Sequence, residues 1–287
     1  MSQIQSSTSA GNGFLYQMLY AEKEFDHEAA RQWTDSIKTV SLWLSAIYVI
    51  LIFSGKRWMR SRSPFGLRFP LFLWSSVLSV FSILGSFHTV PELYNGLLNY
   101  GLTYTLCDCS FLRGSSGFWA FAFTLSKAYE LGDTLFIVLR RQPLIFLHWY
   151  HHISVMIYCF YTYSDHVPWA RWYIAMNYCV HSVMYTYYAA RALRVRVPSF
   201  IRMLVTLLQI IQMTVGLVLS IYAFLIKRSG ADCHPSYANL VAGMLLYISY
   251  LILFVHFFYE QYAAPVRKKS SDDKMPDTSL DEVKKLR

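Results

Sequence analysis

Long apolar runs separated by short clusters of arginine and lysine dominate this chain. A run of roughly 18 or more apolar residues reads as a helix that crosses a bilayer. The helix is the expected form because a backbone facing lipid must bond its own polar groups. Seven such blocks are read, at about 40–54, 71–87, 118–139, 144–163, 169–193, 203–226 and 238–259, the first reaching back to about residue 37. None has the period-two alternation of a membrane barrel. The expected fold is therefore an all-α integral membrane protein with seven transmembrane helices. Its membrane domain covers 37–262, after a polar N-terminal segment 1–36 and before a basic tail 263–287. Composition agrees: 55% of residues are hydrophobic and only 15% charged, where a soluble domain has about a quarter charged.

The connecting charges orient the helices. Lys56, Arg57, Arg60, Arg62 and Arg68 follow the first block, Arg140 and Arg141 the third, Arg191, Arg194, Arg196 and Arg202 the fifth, and Arg267, Lys268 and Lys269 the last. These are alternate connections, so they share one side, and basic loops stay cytoplasmic. The C-terminus is thus expected in the cytoplasm and the N-terminus on the opposite side. An odd number of spans gives the same result. The net charge of +9 is read as topology, and no nucleic-acid partner is expected. The last residues, Lys284-Lys285-Leu286-Arg287, resemble a dilysine signal for retrieval to the endoplasmic reticulum, an address read by a receptor. The N-terminus lacks the basic and apolar regions of a cleaved signal peptide. The five cysteines include no C-x-x-C pair, so no zinc site is indicated.

Ionisable groups within a span are costly and usually functional. The fourth block carries His148, His151 and His152, whose spacing puts all three imidazoles on one helical face. The third carries Lys127, Glu130, Asp133 and Thr134 on one stripe; a buried structural ion pair and a shell that orients the imidazoles are both open readings. In the fifth, Asn177, His181, Tyr185 and Tyr188 share a side. In the sixth, Thr206, Gln209 and Gln212 are three apart, and interhelical hydrogen bonding is the plain reading. Four consecutive spans would thus supply polar stripes to one chamber. His256, alone near a helix end, reads as a packing residue.

Three chemistries suit such a cluster. A diiron oxygenase of desaturase type would use His-x-x-His-His as one corner of its centre, but the further histidine clusters it needs are missing from the sequence. A transporter or proton relay needs a path but no such motif, and no inverted repeat is seen. Acyl transfer uses neutral imidazole as a nucleophile towards a thioester, with a second imidazole as base or oxyanion donor. Cys159 and Cys179 are rival nucleophiles outside the polar stripes.

Four boxes in order, Lys127-x-x-Glu130-x-x-Asp133-Thr134, His148-x-x-His151-His152, His181-x-x-Met184-Tyr185-x-Tyr187-Tyr188 and Thr206-x-x-Gln209-x-x-Gln212, resemble the signatures of the ELO family of very-long-chain fatty acid elongases. The resemblance covers about 42–262. It implies a seven-helix protein of the endoplasmic reticulum in which helices two to seven enclose a substrate tunnel. It implies condensation of acyl-CoA with malonyl-CoA to 3-oxoacyl-CoA, CoA and carbon dioxide, through an acyl-imidazole intermediate. Carried over by motif, His151 takes the acyl group, His181 assists decarboxylation or holds the enolate, and His148 and His152 orient or tune the pair. Lys127, Glu130, Asp133, Asn177, Tyr185, Tyr188, Gln209 and Gln212 support them.

The resemblance also implies a disulfide between Cys107 and Cys233, on the side where disulfides persist. It implies a ketoreductase, a dehydratase and an enoyl reductase as partner enzymes. Pro143 and the Trp149-Tyr150 pair after His148 resemble the saturated and monounsaturated subgroup. Neither cofactor nor metal is required, since the CoA thioesters are substrates and decarboxylation drives bond formation. An alkyl tail favours an apolar tunnel in the membrane lipid by about 0.8 kcal/mol per methylene. The CoA phosphates are expected to meet Arg140, Arg141, Arg191, Arg194 or Arg202. Chain-length preference and assembly into a homo-oligomer are not legible in the sequence.

Overall fold

Helical periodicity continues beyond the apolar blocks, and the chain follows it. A computed structural model describes residues 22–264 except 231, 232, 234 and 235. The tail from 265 onwards, with its dilysine-type ending, and residues 1–21 lie outside the described residues. Among the described residues the fold is helical: α1 (His27–Ile37), α2 (Val40–Trp58), α3 (Arg68–Cys107), α4 (Gly114–Glu130), α5 (Gly132–Leu139), α6 (Phe146–Ser164), α7 (Ala170–Ala192), α8 (Ser199–Arg228) and α9 (Tyr237–Phe258).

Two elements depart from the block reading. The first is α1, which lies in the segment read as a polar N-terminal stretch. Asp26 caps it, its Oδ1 accepting from the backbone N–H of Glu28 and Ala29 at 3.0 and 2.9 Å. The second is α3, read as ending near residue 87, which runs on to Cys107. His88 and Glu92 end the apolar run but not the buried face, since Gly85, Thr89, Leu93 and Gly96 recur at helical spacing and are all buried. Pro91 lies inside this helix, and the chain kinks at Gly101, whose φ of 84° is open to glycine. Forty residues of helix would span ~60 Å, about twice a bilayer core.

Length and composition qualify four helices as membrane-crossing: α2 extended through Ser61, α3, α8, and α9 extended through Ala263. The rest of the expected seven fall short in length or in hydropathy. The third block divides at Leu131 into α4 and α5, of 17 and 8 residues. Helices α6 and α7 carry the polar stripes. The features that mark the candidate site also lower the hydropathy of the helices that carry it.

Neighbour packing closes a circuit of six helices. Helix α3 lies along α7, α7 along α8, α8 along α9, α9 against α6, α6 against α4, and α4 against α3. Helix α2 stands outside this circuit, against α5 and α6. The disulfide Cys107–Cys233, with Cα atoms 4.6 Å apart, joins the end of α3 to the α8–α9 connection.

Small residues set the closest helix approaches, as between membrane helices generally. Gly216 of α8 lies under the Tyr247 ring of α9, leaving no room for a Cβ. Gly216→Val is expected to cost about 1–3 kcal/mol through overpacking, read as an earlier denaturation midpoint in detergent. Gly66, with nothing near the Cβ position, supplies the control, and Gly66→Ala is expected to leave the midpoint in place.

Candidate active site

The three histidines of α6 lie in the first two turns of the helix, and their spacing turns all of them inward. His148 and His152, four apart, lie with ring centroids 4.4 Å apart, and the His151 ring meets His152 edge-on at 5.7 Å. A hydroxyl chain leads outward from His148: its Nε2 is 2.9 Å from Thr134 Oγ1, which is 2.6 Å from the Tyr48 hydroxyl on α2. Such a contact fixes the plane of a ring and selects its tautomer. His152 is 7% exposed, and its Nδ1 has no hydrogen-bond partner. His151 is held differently, by flat contact surfaces. Its ring lies 4.9 Å from that of Tyr250 and 6.4 Å from that of Phe254, both on α9.

Opposite α6, α7 presents Asn177, His181, Tyr185 and Tyr188. Behind His181 lies a fully built ion-pair cluster. Lys127 Nζ donates to Glu130 Oε1 at 2.6 Å and to Asn177 Oδ1 at 3.2 Å, and Ser126 donates to the same carboxylate oxygen at 2.9 Å. The other carboxylate oxygen lies 3.9 Å from His181 Nδ1. Lys127 and Glu130 are 2% and 3% exposed, so neither charge is left to water. The two readings of this stripe therefore merge, because the buried pair also faces an imidazole. One turn on, Asp133 accepts from Trp74 Nε1 at 2.6 Å and from the Tyr185 hydroxyl at 2.8 Å. The helical break at Leu131 brings this about: Gly132 follows it and lets the Trp74 ring come against the backbone.

The stripes from α5, α6, α7 and α8 meet around one cavity of about 470 Å³. His148, His151, His152 and His181 all line it, as do Asp133, Asn177, Tyr185, Tyr188, Gln209 and Gln212. His151 and His181 thus share a compartment. Lys127 and Glu130 stand one layer behind its wall. Gln209 Nε2 lies 3.3 Å from Met184 Sδ. Arg140, Gln142 and Arg191 mark one end of the cavity. An apolar space of about 60 Å³ adjoins the cavity as a narrow channel: His151, Asn177, Gln212 and Met213 line both, and Tyr250 lines the channel alone. Phe123, Val155, Tyr173, Ile174 and Leu246 line the channel beyond.

Of the five arginines expected to meet phosphate, two stand on the cavity. Arg141, Arg194 and Arg202 are not among its lining residues. Arg141 turns away to donate to the Arg62 carbonyl at 3.0 Å, and the Arg202 guanidinium lies 5.4 Å from the Tyr262 ring. Arg194, with φ 62°, sits in the turn that ends α7. His256 is exposed on α9 and not packed into a core. Cys159 lines the apolar channel, and Cys179 is exposed. Among the described residues no three His, Cys, Asp or Glu side chains are grouped so as to hold a metal ion.

Sequence reasoning missed Tyr48, Trp74, Tyr250 and Phe254. Each is an aromatic residue in a strongly apolar helix, where aromatics are common at the lipid interface and in packing. Nothing local separates those that reach the site from those that face lipid.

The family described as the GNS1/SUR4 family, ELO, matches residues 33–270. The chain is 46% identical over 253 residues to the very long chain fatty acid elongase 6 of Drosophila melanogaster, covering 87% of this chain and 80% of the relative. It is 47% identical over 248 residues to the human protein of that name, covering 86% and 93%. Human very long chain fatty acid elongase 3 is 44% identical over 223 residues, covering 77% and 82%.

Proposed function

Since the chain belongs to the ELO family and is a condensing enzyme of fatty acid elongation, we propose that His151 is acylated in the course of its reaction. In this reading acyl-CoA enters from the end marked by Arg140, Gln142 and Arg191, and its tail lies in the apolar channel. The observation that carries the proposal is the position of His151, on the wall of both the polar cavity and the channel. A thioester carbonyl at that junction has its polar end in one space and its alkyl chain in the other. The imidazole attacks the carbonyl, a carbon–nitrogen bond forms and CoA leaves as its thiol. Malonyl-CoA then loses carbon dioxide, and the enolate so formed attacks the acyl-imidazole carbonyl. The new carbon–carbon bond releases 3-oxoacyl-CoA and frees His151.

His181 is assigned to the second half of the reaction. An N–H donor there stabilises the enolate oxygen as charge develops, and the Glu130 carboxylate 3.9 Å from its Nδ1 favours the imidazolium, whose Nε2–H points away from the carboxylate and can donate. His148 and His152 position the nucleophile. No cofactor is needed, and the substrates are the two thioesters. We further assign seven spans, with α4 and α5 as one, in the endoplasmic reticulum membrane. The basic end of the cavity then faces the cytosol and the Cys107–Cys233 end the lumen. A ketoreductase, a dehydratase and an enoyl reductase complete the cycle, and saturated or monounsaturated chains are the substrates.

Intact-protein mass spectrometry with acyl-CoA alone tests the mechanism. One acyl group is expected to add per chain with release of one CoA, to map to the peptide carrying His151, and to be discharged by malonyl-CoA. Turnover without an adduct, or an adduct on Cys159, would refute the acyl-imidazole route.

A further inference from the structure

Two of the side chains that line the channel beyond His151 are also the wall of a second cavity. That cavity, of about 340 Å³, lies at the disulfide end and is lined by His27, Asp108, Cys109 and Arg113 among others. Leu112 and His166 line both spaces. The partition between the apolar channel and this cavity is therefore one layer of side chains thick.

The partition is braced from outside the channel. Leu112 is 4% exposed and closes a short turn whose N–H donates to the Cys109 carbonyl at 3.0 Å. Cys107, just before that turn, is held by its disulfide to Cys233. Buried Arg171 donates to Ser110 Oγ at 3.0 Å, fixing the middle of the turn. The Cys109 thiol donates to the His166 carbonyl at 3.1 Å and so ties the two halves of the partition together. His166 itself has φ 51°, a left-handed conformation that histidine tolerates better than most residues. Its ring stacks on His27 of α1 at 5.8 Å. Helix α6 rises about 20 Å between His151 and Ser164, so the floor stands far from the nucleophile, where the end of a long chain would arrive.

Resting on the reading that the channel holds the acyl chain, we infer that Leu112 and His166 are the residues that set its greatest length. A chain too long by one two-carbon unit can enter only by displacing a floor that packing and a disulfide hold in place. With the floor thinned, its end passes into the second cavity. The specificity is steric, and it is located on two named side chains rather than spread along the channel.

The test is a ladder of saturated acyl-CoAs of increasing length offered to the full-length enzyme in detergent. The readout is the ratio of kcat/KM for each chain to that for the best chain, within one variant, which does not depend on how much active enzyme is present. Leu112→Ala and His166→Gly, the latter keeping the left-handed backbone, are expected to raise the ratio for the first rejected chain by about tenfold or more. Leu112→Trp is expected to move the cut-off the other way. Leu112→Val, a smaller change of similar shape, should give an intermediate shift even where the alanine variant folds poorly. An unchanged cut-off in every active variant overturns the inference. A parent enzyme that condenses no acyl-CoA on the ladder would instead overturn the elongase reading on which it rests.

Discussion

His151→Ala is expected to lower condensation by at least about 10³-fold, the scale on which enzymes lose rate when a nucleophile is removed. The same variant should release no CoA from acyl-CoA in a single turnover. Its folded population should stay near that of the parent, because the His151 ring is a wall of two spaces rather than the centre of a packed cluster. The neighbouring histidines should behave differently. His148 acts through Thr134 and Tyr48, so Thr134→Val is expected to reduce the rate of CoA release while leaving the acyl adduct on His151. The decisive contrast is between variants. An adduct that survives His151→Ala and disappears in His148→Ala would move the nucleophile by one turn of α6. Decarboxylation of malonyl-CoA in the absence of acyl-CoA should persist in His151→Ala and fall in His181→Ala, separating the two half-reactions.

The sequence discloses most of this site because a bilayer penalises polar residues. In a soluble core a histidine or a glutamine passes unremarked; here Asn177, His181 and Gln212 had to be explained, and all three stand on the cavity wall. Helical spacing then placed each stripe without knowledge of neighbouring helices. The same signal could not reach Tyr250 or Phe254, whose role depends on which helix lies beside α6. It also could not rank the arginines. Positive charge at a loop serves topology as well as phosphate, and only packing separates Arg140 and Arg191 from Arg141, Arg194 and Arg202. The length of α3 was misjudged for a related reason. A hydropathy window stops at His88 and Glu92, but Glu92 Oε2 is 3.2 Å from the buried guanidinium of Arg171, so its charge is matched within the protein. The channel floor was invisible because it forms where two connections, one after α3 and one after α6, come together.

The second large effect is expected at Lys127 and Glu130, where the loss is one of stability and chemistry together. Both groups are almost fully buried and bonded at 2.6 Å. Removing one member of such a pair leaves an uncompensated charge away from water, at a cost of about 3–5 kcal/mol. Lys127→Met strands the Glu130 carboxylate and also cuts the bond to Asn177, so it should lower the denaturation midpoint more than any surface substitution. Glu130→Gln keeps the shape and the acceptor oxygen but leaves the lysine unneutralised, and should cost about as much. The double variant Lys127→Met with Glu130→Gln distinguishes structure from function. Without either charge the helices can repack, and stability should recover by about 1–4 kcal/mol relative to the worse single variant. Activity should not recover with it, because the carboxylate that faces His181 Nδ1 at 3.9 Å is still missing. If condensation returned in step with stability, the pair would be a packing device alone, and His181 would have to be poised by another group. If neither returned, the lysine would matter beyond its charge, through Asn177 on the wall of the cavity.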